Sequence, residues 1–239
     1  MTDVSRYFDQ EMKNRKKIQI SGPRSYVDSV EKILKDWIYF SYVGRAVLSE
    51  IYGSAQGTEV HIKFSSSSGA DSSGVLEDSR AEGSYATDLT KGTGKGASSV
   101  LSFDLTCKLP SNLCKTKCTN PRFNLPRFVL LHELVHSMRH VRGKWRAGVT
   151  VNLNRKSLAL EEAIGIVITN IFMSEKGDNK LRADHVSLDT IGPDVQSFVK
   201  QPTASTILDQ IRADHPALYN GIAGLKQSKF PFNPFAAHP

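Results

Sequence analysis

Apolar residues recur at helical spacing from Tyr26 to Tyr52. They are Val27, Val30, Ile33, Leu34, Trp37 and Ile38, then Val43, Val47, Leu48 and Ile51. This pattern predicts helix, with Gly44 as the point that breaks it in two. Thr58 to Phe64 alternates polar and apolar residues and predicts a strand. A second strand is expected from Ser99 to Leu105. Pro126 opens a helix that runs to about His140 and is ended by Gly143. Another helix, apolar nearly all round and therefore buried, is predicted from Ser157 to Met173. A short helix is expected over Thr206 to Tyr219. Residues 1–22 are polar and basic, closed by Ser21-Gly22-Pro23, and are expected to be a mobile arm. Residues 226–239, rich in aromatics and proline, read as an extended tail laid on the surface. One domain over 23–225 lies between them. No internal repeat is apparent.

Residues 65–99 break this rhythm. Sixteen of the thirty-five are Ser or Gly, which predicts a long loop. Within it, Gly92-Thr93-Gly94-Lys95-Gly96 lacks the Lys-Ser/Thr of a phosphate-binding loop, and no helical pattern follows. A turn entering the next strand is the simpler reading. Cys107, Cys114 and Cys118 lie in a Lys-rich loop. Their spacing is unusual for zinc and a fourth ligand is missing, so free thiols are expected. An odd cysteine count also argues for a reducing compartment.

The chain has 239 residues, enough for one core without disulfide or metal staples. Its 39% hydrophobic and 23% charged residues exclude collagen-like, wholly disordered and disulfide-scaffold proteins. The longest apolar run, Leu158 to Met173, is short and holds Glu161 and Glu162, so no membrane span is expected. The N-terminus shows no apolar stretch of a Sec-type signal peptide. Net charge is +7, but unevenly placed. Lys108 to Lys156 carries eleven Lys and Arg against the single acid Glu133, leaving 20 basic and 23 acidic residues elsewhere. Such a segment can steer an acidic partner.

That segment contains His132-Glu133-Leu134-Val135-His136. Residues i and i+4 share one helix face, so both imidazoles can reach one zinc ion at ~2.0–2.1 Å. Glu133 follows the first histidine, placed to take a proton from bound water and pass it to a leaving amine. This is the H-E-x-x-H pattern of zinc peptidases. A catalytic zinc needs a third protein ligand and one open position. His140 is one turn further on, but a straight helix cannot wrap three ligands around one ion. Arg139 and Arg142 stand where the longer H-E-x-x-H-x-x-G-x-x-H pattern requires Gly and His. The second helix offers carboxylates instead. Two glutamates in a buried helix are costly unless compensated, and zinc compensates strongly. Glu162-Ala163-Ile164 resembles the Glu-Ala-Ile of thermolysin-type ligand helices, which selects Glu162 as the ligand. Glu161 is then a neighbouring support, a residue at the mouth, or the alternative ligand.

Further residues carry a family resemblance. They are Gly44-Arg45-Ala46-Val47-Leu48, Val60-His61-Ile62, the glycine-rich run before Val100 to Phe103, and Leu131 to His136. Gly143, Glu161-Glu162 with Gly165, and Asn179-Lys180-Leu181-Arg182-Ala183 complete the set. Over about residues 25–185 the chain resembles the NleD-like family of bacterial effector metallopeptidases. The resemblance implies an α+β, zincin-like fold and one catalytic zinc. It also implies delivery into a host cell by a specialised secretion system, type III, and cleavage of host signalling proteins. Arg182 matches the family's arginine, which implies stabilisation of the tetrahedral oxyanion. The Arg and Tyr expected further downstream are not evident after Asp184.

The resulting expectation is a monomeric zinc endopeptidase. His132, His136 and Glu162 hold the metal, and Glu133 acts as base and then acid. The substrate is extended along the strand near Val100 to Phe103 by edge pairing. Charge around the cleft, with Arg142, Lys144 and Arg146 steering, favours an acidic protein surface. A stress-activated MAP kinase fits better on this ground than the basic surface of an NF-κB subunit. The rivals are a basic nucleic-acid-binding module and a partner-binding protein with a non-catalytic zinc. The first lacks a recognisable nucleic-acid motif and aromatics interleaved with the charge, so no nucleic acid and no membrane partner are expected.

Overall fold

The structure, a computed structural model, describes residues 17–64, 73–76, 94, 96–103, 105, 126–146, 148–183, 190–225 and 230–238. It begins with β1 (Ile18–Ser21), α1 (Arg24–Phe40), α2 (Tyr42–Tyr52), β2 (Val60–Phe64), β3 (Ser73–Leu76) and β4 (Ser99–Phe103). The central part follows, with α3 (Pro126–Val141), β5 (Thr150–Leu153), β6 (Lys156–Ala159), α4 (Leu160–Glu175), β7 (Leu181–Arg182) and β8 (Thr190–Ile191). Four helices close the order, α5 (Val195–Val199), α6 (Pro202–Asp214), α7 (Pro216–Ala223) and α8 (Pro234–Ala237). Helices and small sheets of this kind make an α+β arrangement.

The largest sheet has the order β1-β2-β4-β3. The first three strands are parallel and β3 runs antiparallel to β4. Two sequence expectations change here. Ile18–Ser21, read as part of a mobile arm, is a sheet strand paired with β2, and Ile18 is buried. Its short Ile-Gln-Ile alternation is too brief to stand out beside a basic leader. The Ser/Gly-rich segment read as loop contains β3. Because β3 covers one side of β4 and β2 the other, β4 cannot accept a substrate strand. Among the described residues, β3 is the edge on that side.

α1 buries Val27, Val30, Leu34, Trp37 and Ile38 and ends at Ser41. The Ser41 Oγ accepts from the Gly44 N–H at 2.9 Å and caps α2. Its hydroxyl donates to Glu175 at 2.6 Å, tying the corner to the end of α4. The break therefore falls at Ser41 rather than Gly44, which lies inside α2. A Cβ on Gly44 would lie 2.6 Å from that of Trp37, so glycine lets the two helices meet.

α3 is the central helix, buried at every position from Leu130 to Val141. It packs on β3 and β4 on one side and on α4 on the other. The buried Ser99 hydroxyl donates to Ser137 at 3.1 Å across the sheet–helix contact. Gly143 ends α3 at φ +63°. A side chain there would strike the carbonyl of Gly94, so the glycine-rich entry to β4 lies against the helix end. The Ala97 N–H donating to His140 O at 3.0 Å fastens that crossing.

α4 starts at Leu160, later than the apolar pattern suggested. Lys156–Ala159 pairs instead with β5 through Asn154 and Arg155, both at positive φ, as in a type I′ turn. The helix expected over Thr206 to Tyr219 is two helices parted at His215, because Pro216 has no N–H to continue the ladder. The tail is also corrected. Phe230, Phe232 and Phe235 are buried core residues, and Pro234–Ala237 is helical. Aromatic residues spaced by proline looked like surface decoration but fill the space against α5 and α7. No helix among the described residues is long and apolar enough to cross a membrane. Cys107, Cys114, Cys118 and most of residues 65–99 lie outside the described residues.

Candidate metal centre

α3 presents His132 and His136 one turn apart toward the first turn of α4, which presents Glu162. Nε2 of His132 lies 3.1 Å from Nε2 of His136 and 3.1 Å from a Glu162 carboxylate oxygen. The other Glu162 oxygen is 3.4 Å from His136 Nε2. Zinc–ligand bonds of ~2.0–2.1 Å at tetrahedral angles place donor atoms about 3.3–3.4 Å apart. The two imidazole nitrogens, and the carboxylate with one oxygen near each of them, lie close to that spacing, and they are the group able to hold a metal ion among the described residues. A set of two imidazoles and one carboxylate suits a first-row divalent ion. The histidines are buried, whereas the Glu162 side chain is 29% exposed, so the open side of the site lies at the carboxylate.

Electrostatics favour this reading. Burial foremost, with the positive charges of His136 and Arg182 adding, lowers the pKa of His132 to about 3 against the pull of Glu162. A neutral imidazole is the form that ligates metal. Burial also opposes charging of His136. There the bond to Glu162 and the charges of Glu133, Glu162 and Glu161 outweigh it and raise the pKa. The two histidines are thus pushed in opposite directions, His132 toward its neutral form and His136 toward its charged form. Glu133 is buried beside His136, one position after His132.

Close approach of the two helices depends on Gly165. A Cβ there would lie 2.7 Å from Cε1 of His132 and 3.0 Å from its Nδ1. The His132 ring occupies that space, one turn along α4 from the glutamates. The sequence showed the glycine but not that it seats a ligand ring.

Glu161, the alternative ligand, points away from the metal trio. It accepts from Arg139 through both oxygens, Nη2 at 3.0 Å and Nε more closely, and from the Arg146 N–H at 2.9 Å. Arg139 had been read only as a missing glycine. Its one sequence signal is a cation within an otherwise buried stretch of helix. His140, the discarded third ligand, stacks on Trp145 with centroids 4.3 Å apart, and Trp145 meets His136 edge-on at 5.5 Å.

Arg182 lies on β7, held by Asn170 of α4. The Asn170 amide donates to Arg182 O and accepts from Arg182 N–H, each at 2.9 Å. Asn170 was not visible as functional from sequence, because a lone Asn in an apolar helix carries no spacing signal. Two of the three residues expected to steer a substrate have acidic partners. Arg142 pairs with Glu50 at 2.9 Å and donates to Gly53 O. Arg146 pairs with Asp214 at 3.7 Å. Their charges are matched by Glu50 and Asp214, and Lys144 has no such ion pair among the described residues.

No family model matches this chain, and no curated protein or solved structure does so either. The residues and their geometry carry the functional reading.

Proposed function

We propose that this chain is a zinc-dependent endopeptidase of zincin-like fold, with His132, His136 and Glu162 as ligands. The observation that carries the proposal is the convergence of His132, His136 and Glu162 on one point, with the buried Glu133 acting on His136 by its charge. Zinc bound there would supply an electrophile that polarises a carbonyl and acidifies water toward a pKa of ~7. Glu133 takes a proton on its carboxylate from the attacking water and delivers it to the departing amine nitrogen. Arg182, fixed by Asn170, offers positive charge to the developing oxyanion. An extended polypeptide adds to the β3 edge rather than to β4, since β4 is paired on both sides and β3 is, among the described residues, one of the two edges of the sheet.

As substrate we propose a host signalling protein with an acidic surface, a stress-activated MAP kinase, reached after type III delivery into the host cytoplasm. With Arg142 and Arg146 paired internally, steering falls to cations such as Lys144 and the exposed Arg127 and Arg155. The purified chain, incubated with a MAP kinase and with an NF-κB subunit across a salt series, should cleave the kinase, fastest at low salt. Lys144→Glu with Arg155→Glu should slow cleavage at unchanged zinc content. Cleavage of the NF-κB subunit alone, or a rate indifferent to salt and to charge reversal, would reject the substrate assignment.

A further inference from the structure

Beside the metal trio lies a second cluster on the same two helices. Arg139 is fully buried and is the largest fully buried side chain among the described residues. It sits three positions after His136 on α3. Its fork grips both oxygens of Glu161, the residue next to Glu162 on α4. The remaining nitrogen, Nη1, donates to Asp214 at 3.1 Å at the end of α6, and Nη2 also reaches Lys144 O. Arg146 completes the group through its N–H on Glu161 and its guanidinium near Asp214. Two cations face two carboxylates, so the cluster is neutral without help from a metal.

A buried guanidinium with carboxylates on two edges has little freedom to turn. It therefore fixes the first turn of α4 against α3 at the level of His136. Glu161 and Glu162 are consecutive in that turn, so holding one fixes the other's backbone. We propose that Arg139, acting through Glu161, is a positioning residue that sets the reach of Glu162 to the two histidines. The network tunes metal affinity and ligand geometry, beyond any share it has in stability. The inference rests on the metal-site reading above.

The test uses the full chain and two probes, Zn2+ in competition with a chromophoric chelator and Co2+ by its d–d absorption. Arg139→Lys keeps the buried positive charge but cannot bond both Glu161 oxygens and Asp214 at once. It should lower Zn2+ affinity by about 10–100-fold, the range seen when outer partners of metal ligands are removed. It should also alter the Co2+ spectrum, and the loss of Zn2+ affinity should exceed what the accompanying fall in metal-free thermal midpoint accounts for. Asp214→Asn, which removes charge from an acceptor of Arg139 at the end of α6 and leaves Glu161 in place, should shift affinity less. Glu161→Gln, which keeps the shape and one acceptor oxygen, serves as the second variant if Arg139→Lys does not fold, with the same loss expected. Unchanged Zn2+ affinity and an unchanged Co2+ spectrum in the folded variant would overturn the proposal. So would an affinity loss that only tracks a loss of metal-free stability. Failure of wild type to bind one Zn2+, or binding that survives His132→Ala, would instead defeat the metal-site reading.

Discussion

Two buried histidine–glutamate clusters invite comparison. One joins His132, His136 and Glu162; the other joins His215, Glu50 and Arg142, just past the end of α3. In the second, Nδ1 of His215 and Nε of Arg142 both approach one Glu50 oxygen, at 3.2 and 2.9 Å. The carboxylate can only accept, so Nδ1 is the donor and Arg142 supplies the compensating charge. His215 Nε2 is buried there with no hydrogen-bond partner among the described residues. In the first cluster, two imidazole nitrogens face each other at 3.1 Å with a carboxylate against both. Three lone-pair atoms converge on one point, and one proton can serve only part of that demand. The difference separates a structural ion pair from a metal site. Around Glu50 donors surround an acceptor; between His132, His136 and Glu162, acceptors surround a place for a cation.

Substitutions should sharpen that contrast. The largest effect is expected at Glu162. Glu162→Ala should lower zinc affinity beyond the ~10–100-fold range of outer-shell changes, and Glu161→Ala should stay within it. Equal losses, measured by metal analysis and competition titration, would dissolve the distinction between the two glutamates.

Next in size is the charge network. Arg146→Glu brings a third carboxylate to Glu161 and Asp214, and breaking a buried pair costs ~3–5 kcal/mol. Denaturant unfolding should show a loss of that order. Arg142→Glu should cost less, because the Arg142 side chain is 32% exposed. A neutral outcome at Arg146 would show that its charge faces solvent and is available for steering after all.

The smallest effect concerns pH. Burial, with the charge of Arg139 adding, lowers the pKa of His215 from 6.5 despite Glu50. Burial alone would raise Glu50, but the bonds and charges of His215 and Arg142 bring it below 4.5. Below pH 6.5 the unfolded chain binds more protons than the folded chain at His215, and below 4.5 the same holds at Glu50. Both contributions are full above those values and fade as pH falls through the depressed folded-state pKa. Thermal midpoints of His132→Ala protein, which avoids titration of that ligand, should fall from pH 7 to pH 4. Adding His215→Asn should flatten the slope by a few degrees. A slope untouched by that change would place the acid-sensitive group elsewhere.

The sequence disclosed the candidate metal cluster better than its surroundings. His132 and His136 were legible as a pair because a helix turns i and i+4 to one face, and Glu162 was preferred to Glu161 only by its likeness to the Glu-Ala-Ile of thermolysin-type ligand helices. Both helices followed from period and from Pro126 and Gly143. Arg139, Asp214 and Asn170 were hidden because their roles depend on contacts between segments far apart in the chain, which no local period encodes. β1 and β3 were hidden by brevity, with four residues each among basic or Ser/Gly-rich neighbours. The steering argument counted charges along the chain and could not see that Glu50 and Asp214, remote in sequence, fold back onto Arg142 and Arg146.

The central claim is that a metal held by His132, His136 and Glu162 works with Glu133 to break peptide bonds. Its most direct test measures zinc content and peptide-bond cleavage together, in wild type and in Glu133→Gln. The prediction is one zinc per chain in both proteins, with hydrolysis in the wild type and a loss of at least ~10²-fold in the variant. Full hydrolysis by Glu133→Gln, or wild-type hydrolysis undiminished after chelation has removed the metal, would contradict the account.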